Sequence, residues 1–301
     1  MTHLDKTYVL TGVSSGVGAA LATDLMARGA RIIGIDRVEP QAALAAFHRC
    51  DLTDPAQIDA TIAAIGGPLD GLVNIAGVPG SMPVDMVIKV NYLALRRLTD
   101  ALLPRIADHG AVVNVASTAG ANWRARADLV RSLIAVDGWE AGLTHFLGLG
   151  FTAVQAYDVS KEAVILYSML VSSRERHRGI RVNTVSPGAV QTPLLATFYD
   201  TMGADLLTRL RTQAGGRDAR PEEISRPDDD DLHGALCSRL AQLLRVEIRR
   251  RHRERGLTEH RPAGVAQPLH DGRQALRVVG VLGAVHRGQH EGPAGQRGEI
   301  L

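Results

Sequence analysis

The chain has 301 residues, 45% of them hydrophobic, enough for one large α/β domain or two small ones around a substantial core. A formal net charge of +2 gives no electrostatic ground for a nucleic-acid or membrane-surface partner. Two cysteines, Cys50 and Cys237, make no disulfide framework, and no run reaches the ~18 apolar residues of a membrane span.

The N-terminus lacks the basic-then-apolar layout of a signal peptide and enters a strand-like run almost at once, which predicts a soluble cytoplasmic protein. TYVLT (7–11) reads as a buried strand, and TGVSSGVG (11–18) then leads into a helix over about 16–28. Gly12, Gly16 and Gly18 let the backbone turn tightly and let a pyrophosphate approach the N–H groups of the helix N-terminus. The same glycines also suit a plain turn that eases strand-to-helix packing. RIIGID (31–36) is the second strand; Asp36 at its end is placed to accept from an adenosine ribose and to repel a 2′-phosphate, favouring NAD over NADP. Arg37 beside it could bind that phosphate, and a solvent-facing strand-end acid is the plain alternative.

FHRCDL (47–52) is a weaker strand, followed by a helix over about 55–65, the strand GLVNIAG (71–77), a helix over about 84–107 and the strand AVVNVAS (111–117). Residues 118–156 interrupt this rhythm and carry Trp123, Trp139, Phe146 and Phe151, although aromatics are only 4% of the chain. They read as a substrate-covering or subunit-contacting insertion, or as a helical hairpin closing the core. A helix over about 157–178 and the strand IRVNTVSPG (180–188) complete the alternation. Strands and helices in this order predict an α/β fold, a doubly wound parallel sheet in a single domain, with ligands at the carboxyl ends of the strands.

AYDVSK (156–161) sets Tyr157 and Lys161 one turn apart on one helical face, as a catalytic pair or as an exposed patch. Only Lys6, Lys89 and Lys161 are lysines among 34 basic residues, so an arginine-favouring composition has kept a compact ammonium at this position.

These motifs stand in the order found in the short-chain dehydrogenases/reductases. The glycine pattern, NIAG (74–77), Asn91 of VNY, VNVAS ending at Ser117, Y-x-x-S-K at 157–161 and Pro187-Gly188 carry the resemblance, over about residues 5–225. Gly77 and Asn91 are separated by 13 residues and Ser117 precedes Tyr157 by 40, which resembles the branch holding bacterial coniferyl-alcohol dehydrogenase and 3α-hydroxysteroid dehydrogenase/carbonyl reductase. The resemblance implies a Rossmann-type sheet and an NAD-dependent alcohol/carbonyl oxidoreductase acting on a small molecule, working as a dimer or tetramer without a metal.

It also implies roles. Tyr157 is the acid/base, and a phenol has to be lowered by about 2 to 3 pH units to work near neutrality, about 3 to 4 kcal/mol of phenolate stabilisation. Lys161 supplies positive charge and holds the nicotinamide ribose, Ser117 stabilises the substrate oxygen, and Asn91 holds a water on the route of protons to solvent. Gly12, Ser14, Ser15, Gly16, Val17 and Gly18 cradle the pyrophosphate. Asp51 and Leu52 flank the adenine, Asn74, Ala76 and Gly77 line the adenosine side, and Pro187, Gly188, Val190 and Thr192 receive the carboxamide.

After residue 225 the resemblance stops: no N-G-x-x-x-x-V-D-G-G-like last strand follows, and residues 226–301 are arginine-rich, lysine-free and without sustained periodicity. This tail reads as frameshifted sequence or as a disordered, phosphate-binding extension. A sheet without its last strand also leaves open a catalytically dead nucleotide-binding protein.

Overall fold

The computed structural model describes His3, residues 5–197, Thr208, Arg211, Thr212 and residues 216–225; the tail from 226, with the missing last strand, lies outside the described residues. Six strands form one parallel sheet: β1 (Thr7–Thr11), β2 (Arg31–Asp36), β3 (Ala46–Arg49), β4 (Leu69–Asn74), β5 (Ile106–Val115) and β6 (Arg181–Val185), in the order β3-β2-β1-β4-β5-β6. Apolar runs suit strands buried on both faces. Val9, Leu10, Ile32, Ile35, Leu72, Val73, Val112 and Val113 have next to no exposure.

The order reverses between β1 and β4, and a parallel sheet opens a crevice at that point. Thr11 fixes its width, because its hydroxyl accepts from the Ile75 and Ala76 amides at 2.9 and 3.0 Å. The end of β4 is thereby held beside the turn after β1.

Local chemistry sets the helices. α1 (Gly16–Ala27) follows the glycine turn. α2 (Pro55–Ala64) starts on Asp54, whose carboxylate accepts from the Ala56 and Gln57 amides ahead of a proline preset for a first turn. α3 (Val84–Ile88) and α4 (Leu95–Leu102) are joined by a π-helical segment, Lys89–Ala94. The expected helix to 107 ends earlier. Pro104 lies in a short 3₁₀ turn, Leu103–Arg105, and β5 begins at Ile106. α7 (Ala153–Arg174) starts four residues before the expected position because Thr152 and Gln155 form a reciprocal capping box there.

Between β5 and α7 run a 3₁₀ segment (Thr118–Arg124), α5 (Ala127–Ile134) and α6 (Trp139–Gly148). Val130, Leu133, Ile134, Trp139 and Phe146 enter the larger core cluster, and Phe146 packs on Tyr92 with ring centroids 5.8 Å apart. These segments are a helical hairpin that closes the core over α7. Thr118 is their contribution to the cleft described below, and none of their four aromatics lines it.

After β6 the chain returns as a bridge between Val190 and Ala219 and as α8 (Pro221–Ser225), which packs on α1 with Ile224 fully buried.

Candidate active site

A cleft of about 570 Å³ runs across the carboxyl ends of the strands. Gly12 and Gly16 take positive φ, 75° and 53°. A Cβ on Gly12 would lie 3.0 Å from the Ala76 backbone, and one on Gly18 would lie 1.9 Å from the Gly12 carbonyl oxygen. Glycine at these positions is what lets the turn close this tightly against Ala76 and the start of α1, and the turn Gly12–Gly18 lines the cleft at the N-terminus of α1, where the residues present fit a pyrophosphate.

Asp36 stands over this turn. Its Oδ2 accepts from the Ser14 amide at 3.0 Å and the Ser14 hydroxyl at 2.6 Å, and its Oδ1 accepts from the Val38 amide at 3.2 Å. The acid is thus oriented by the glycine loop, facing into the cleft. Arg37 is exposed on the same wall.

Asp51 turns its carboxylate onto the amide and hydroxyl of Thr53, at 2.9 and 2.8 Å, and shares the cleft wall with Leu52. Ala76, Gly77, Pro187, Gly188, Val190 and Thr192 complete the expected set on the wall. Asn74 is not among them. It is buried beneath, donating to Thr99 Oγ1 at 3.0 Å and Asn114 Oδ1 at 2.8 Å, with Asn114 in turn donating to Ser168. A β-strand alternates its faces, which turns Asn74 into the sheet.

Asn91 sits off the wall as well, on the π-helical segment. Its amide clamps the backbone of Val78, accepting from the N–H at 2.8 Å and donating to the carbonyl at 3.0 Å, and reaches Ser160 Oγ at 3.5 Å. The extra residue of a π turn shifts the side chain by a fraction of a turn. The structure therefore shows Asn91 fixing the loop after β4; the proton-route role implied by the resemblance is a proposal.

Ser117, Tyr157 and Lys161 meet at the cleft floor. Ser117 stands two residues past β5 and caps the 3₁₀ segment, accepting from the Ala119 amide at 3.2 Å, and its hydroxyl hydrogen-bonds the Tyr157 phenol. Burial pushes the phenol up to about 12, with the Ser117 bond working the other way and the Asp158 carboxylate adding to the rise. In the protein alone, desolvation therefore outweighs the lowering that the chemistry needs.

Lys161 donates to the Val115 carbonyl at 3.2 Å, and its Nζ lies 5.7 Å from the Tyr157 ring centroid. Burial pulls the ammonium down to about 8, from an ordinary 10.5. Because the unfolded chain holds this proton more firmly, the stability penalty is complete below pH 8 and fades as pH rises from 8 to 10.5. A Lys161→Met variant should be more stable than the parent, on the order of 3 kcal/mol at pH 7, with the gap narrowing towards pH 10. Urea unfolding of the cofactor-free proteins at both pH values checks this.

The sequence reading missed part of the cleft lining. Met82, Met86 and Val90 supply one apolar wall, four positions apart in the sequence, although Met82 precedes α3 and Val90 lies in the π-helical segment. Pro193, Leu194 and Leu195 supply another, with no periodic signal to announce them.

Residues 6–128 match the profile of the short chain dehydrogenase family. Residues 144–241 match a profile described as enoyl-(acyl carrier protein) reductase, extending past residue 225. Coniferyl-alcohol dehydrogenase of Pseudomonas sp. strain HR199 is 41% identical over 215 residues, 71% of this chain and 82% of that protein. The chain belongs to the short-chain dehydrogenase family. A second member, the 3-alpha-hydroxysteroid dehydrogenase of Pseudomonas sp. B-0831 solved with NADH, superposes with a TM-score of 0.62 at 33% identity, covering 73% of this short-chain dehydrogenase and 87% of the other chain. A Beutenbergia cavernae chain solved with NADP at low occupancy superposes at 0.54 with 25% identity, over 74% and 88%. The resemblance read from the motifs, including its branch, is thereby established.

Proposed function

We propose that this chain is an NAD-dependent alcohol dehydrogenase/carbonyl reductase, exchanging hydride between a secondary or aryl allylic alcohol and the nicotinamide, with Tyr157 as acid/base. The observation that carries the reading is the meeting of Ser117, Tyr157 and Lys161 on the floor of a cleft whose far wall is the glycine bed and Asp36. Bound nicotinamide supplies the hydride acceptor or donor and, when oxidised, a positive charge. The chain's own residues do the rest. The Ser117 hydroxyl, already bonded to the phenol, shares the substrate oxygen with it. Tyr157 Oη takes the alcohol proton or returns it to the carbonyl. Lys161, largely protonated below pH 8, places a cation beside the phenolate that forms, and its ammonium has donors to spare for the ribose hydroxyls.

The apolar walls formed by Met82, Met86, Val90, Leu194 and Leu195 support a hydrophobic substrate. The names of the two Pseudomonas relatives support aryl allylic alcohols and hydroxysteroids. Absorbance at 340 nm with NAD and a panel of coniferyl alcohol, hydroxysteroids and small polyols tests the reading. Tight NAD binding with no turnover on any of them would favour a nucleotide-binding protein without catalysis. Beyond residue 241, where the family match ends, we take the tail to be out-of-frame sequence, and the coding DNA read in its other two frames tests that.

Preference for NAD rests on Asp36. Its carboxylate is turned into the cleft as a ribose acceptor and as a repulsive charge for a 2′-phosphate. Asp36→Ala should lower the NAD-to-NADP ratio of kcat/KM by at least about 10-fold, the loss of one charge-assisted hydrogen bond. A parent that already prefers NADP would make Arg37 the dominant contact.

A further inference from the structure

The 3₁₀ segment Thr118–Arg124 begins at Ser117 and lies directly on α7. A Cβ on Gly120 would stand 3.0 Å from the carbonyl of Lys161 and 2.8 Å from the Ile165 side chain. Two residues past its end, Arg126 reaches back to the same helix: Nη2 and Nε donate to Glu162 Oε1 at 2.6 and 3.1 Å. Glu162 is wholly buried, its Oε2 has no hydrogen-bond partner, and it directly follows Lys161 in sequence. Asp158, one turn earlier on α7, faces the same guanidinium, so two carboxylates share one cation, and burial raises both. Neither Arg126 nor Glu162 lines the cleft.

Burying a carboxylate to this degree is costly unless it is paired, and its partner here is the residue that follows the Ser117 segment, so the pair ties that segment to the catalytic helix. We propose that the Arg126–Glu162 pair is a positioning clamp that holds Ser117 against Tyr157. It pins the far end of a segment whose near end carries the Ser117 hydroxyl, with Gly120 as the contact between. This inference rests on the proposed role of Tyr157. Loosening the far end lets the 3₁₀ segment lift from α7 and weakens the Ser117–Tyr157 hydrogen bond, which lowers the phenol.

The test is Arg126→Met in the full chain, with two readouts. Hydrogen exchange of peptides spanning 116–126 should accelerate at least about 10-fold, while peptides of β1 and α1 keep their protection. With an active parent, kcat should fall about 10- to 100-fold. The acid limb of its pH profile should move to higher pH, and the NAD dissociation constant should stay within about twofold. Unchanged exchange in 116–126 overturns the clamp even if the parent turns over no substrate, and parental inactivity then counts only against the proposed function. A lower melting temperature with parental kcat and pH profile also overturns it, because the pair is then only structural. If Arg126→Met fails to fold, Arg126→Lys and Glu162→Gln, which keep one hydrogen bond, carry the same readouts: shifts in the same directions support the clamp and parental values refute it.

Discussion

Turnover of Tyr157→Phe should fall by at least about 100-fold, the loss usual for a general acid/base, while NAD binding stays within a few-fold of the parent. The substitution takes one oxygen from a side chain that is 8% exposed and keeps the ring in place among its core neighbours. What disappears is the transferable proton and the bond to Ser117. The structure also says which way the phenol has to be moved. Burial, only partly offset by the Ser117 bond, takes it to about 12, so activity near neutral pH requires positive charge gathered around it, from Lys161 and from the oxidised cofactor. Rates at 340 nm over a pH series, parent against variant, check this, and equal turnover would refute the acid/base assignment.

Gly18→Ala should cost about 3 kcal/mol or more and remove cofactor binding. The new Cβ would stand 1.9 Å from the Gly12 carbonyl oxygen, a backbone atom with no rotamer to yield. Gly12 is itself held, since its N–H donates to the Ile35 carbonyl at 2.9 Å and its Cα faces Ala76 across the crevice. Relief therefore has to come from α1 backing away from the sheet, which opens the contacts of Leu21, Ala22 and Leu25 in the second core cluster. Gly66→Ala is the control, because a Cβ there meets nothing within 4 Å. Urea unfolding and NAD titration of the two variants should separate sharply; a Gly18→Ala protein as stable as the Gly66→Ala protein would show that the turn can rearrange.

Both predictions use residues that were visible in the sequence, and their visibility has a physical cause. Buried parallel strands have to be apolar on both faces, so TYVLT, RIIGID and AVVNV stand out as runs, and a phosphate bed has to be free of side chains, so its glycines stand out as a pattern. The strand-helix alternation and the turn after β1 were legible for those reasons, and family resemblance placed Ser117, Tyr157 and Lys161 at one site although Tyr157 comes 40 positions after Ser117. The π turn that carries Asn91 has no comparable signature, since Lys89–Ala94 reads as ordinary helix and only packing against Val78 and Ser160 shows the extra residue.

What the sequence by itself determined was the architecture and the chemistry available: a doubly wound parallel sheet, a glycine bed, an acid at the end of β2, and a tyrosine and lysine one turn apart. Tertiary structure alone decided how those groups are used. It turned Asn74 into the sheet, where its amide nitrogen donates to Thr99 and Asn114, and it made the aromatic-bearing segment after Ser117 part of the core. It also set the sign of each perturbation at the site, raising the phenol of Tyr157 and lowering the ammonium of Lys161. The reason is common to all three. Residue spacing fixes which face of a strand or helix a side chain occupies, but burial, and with it the cost of a charge or an unpaired amide, depends on which distant segment comes to cover that face.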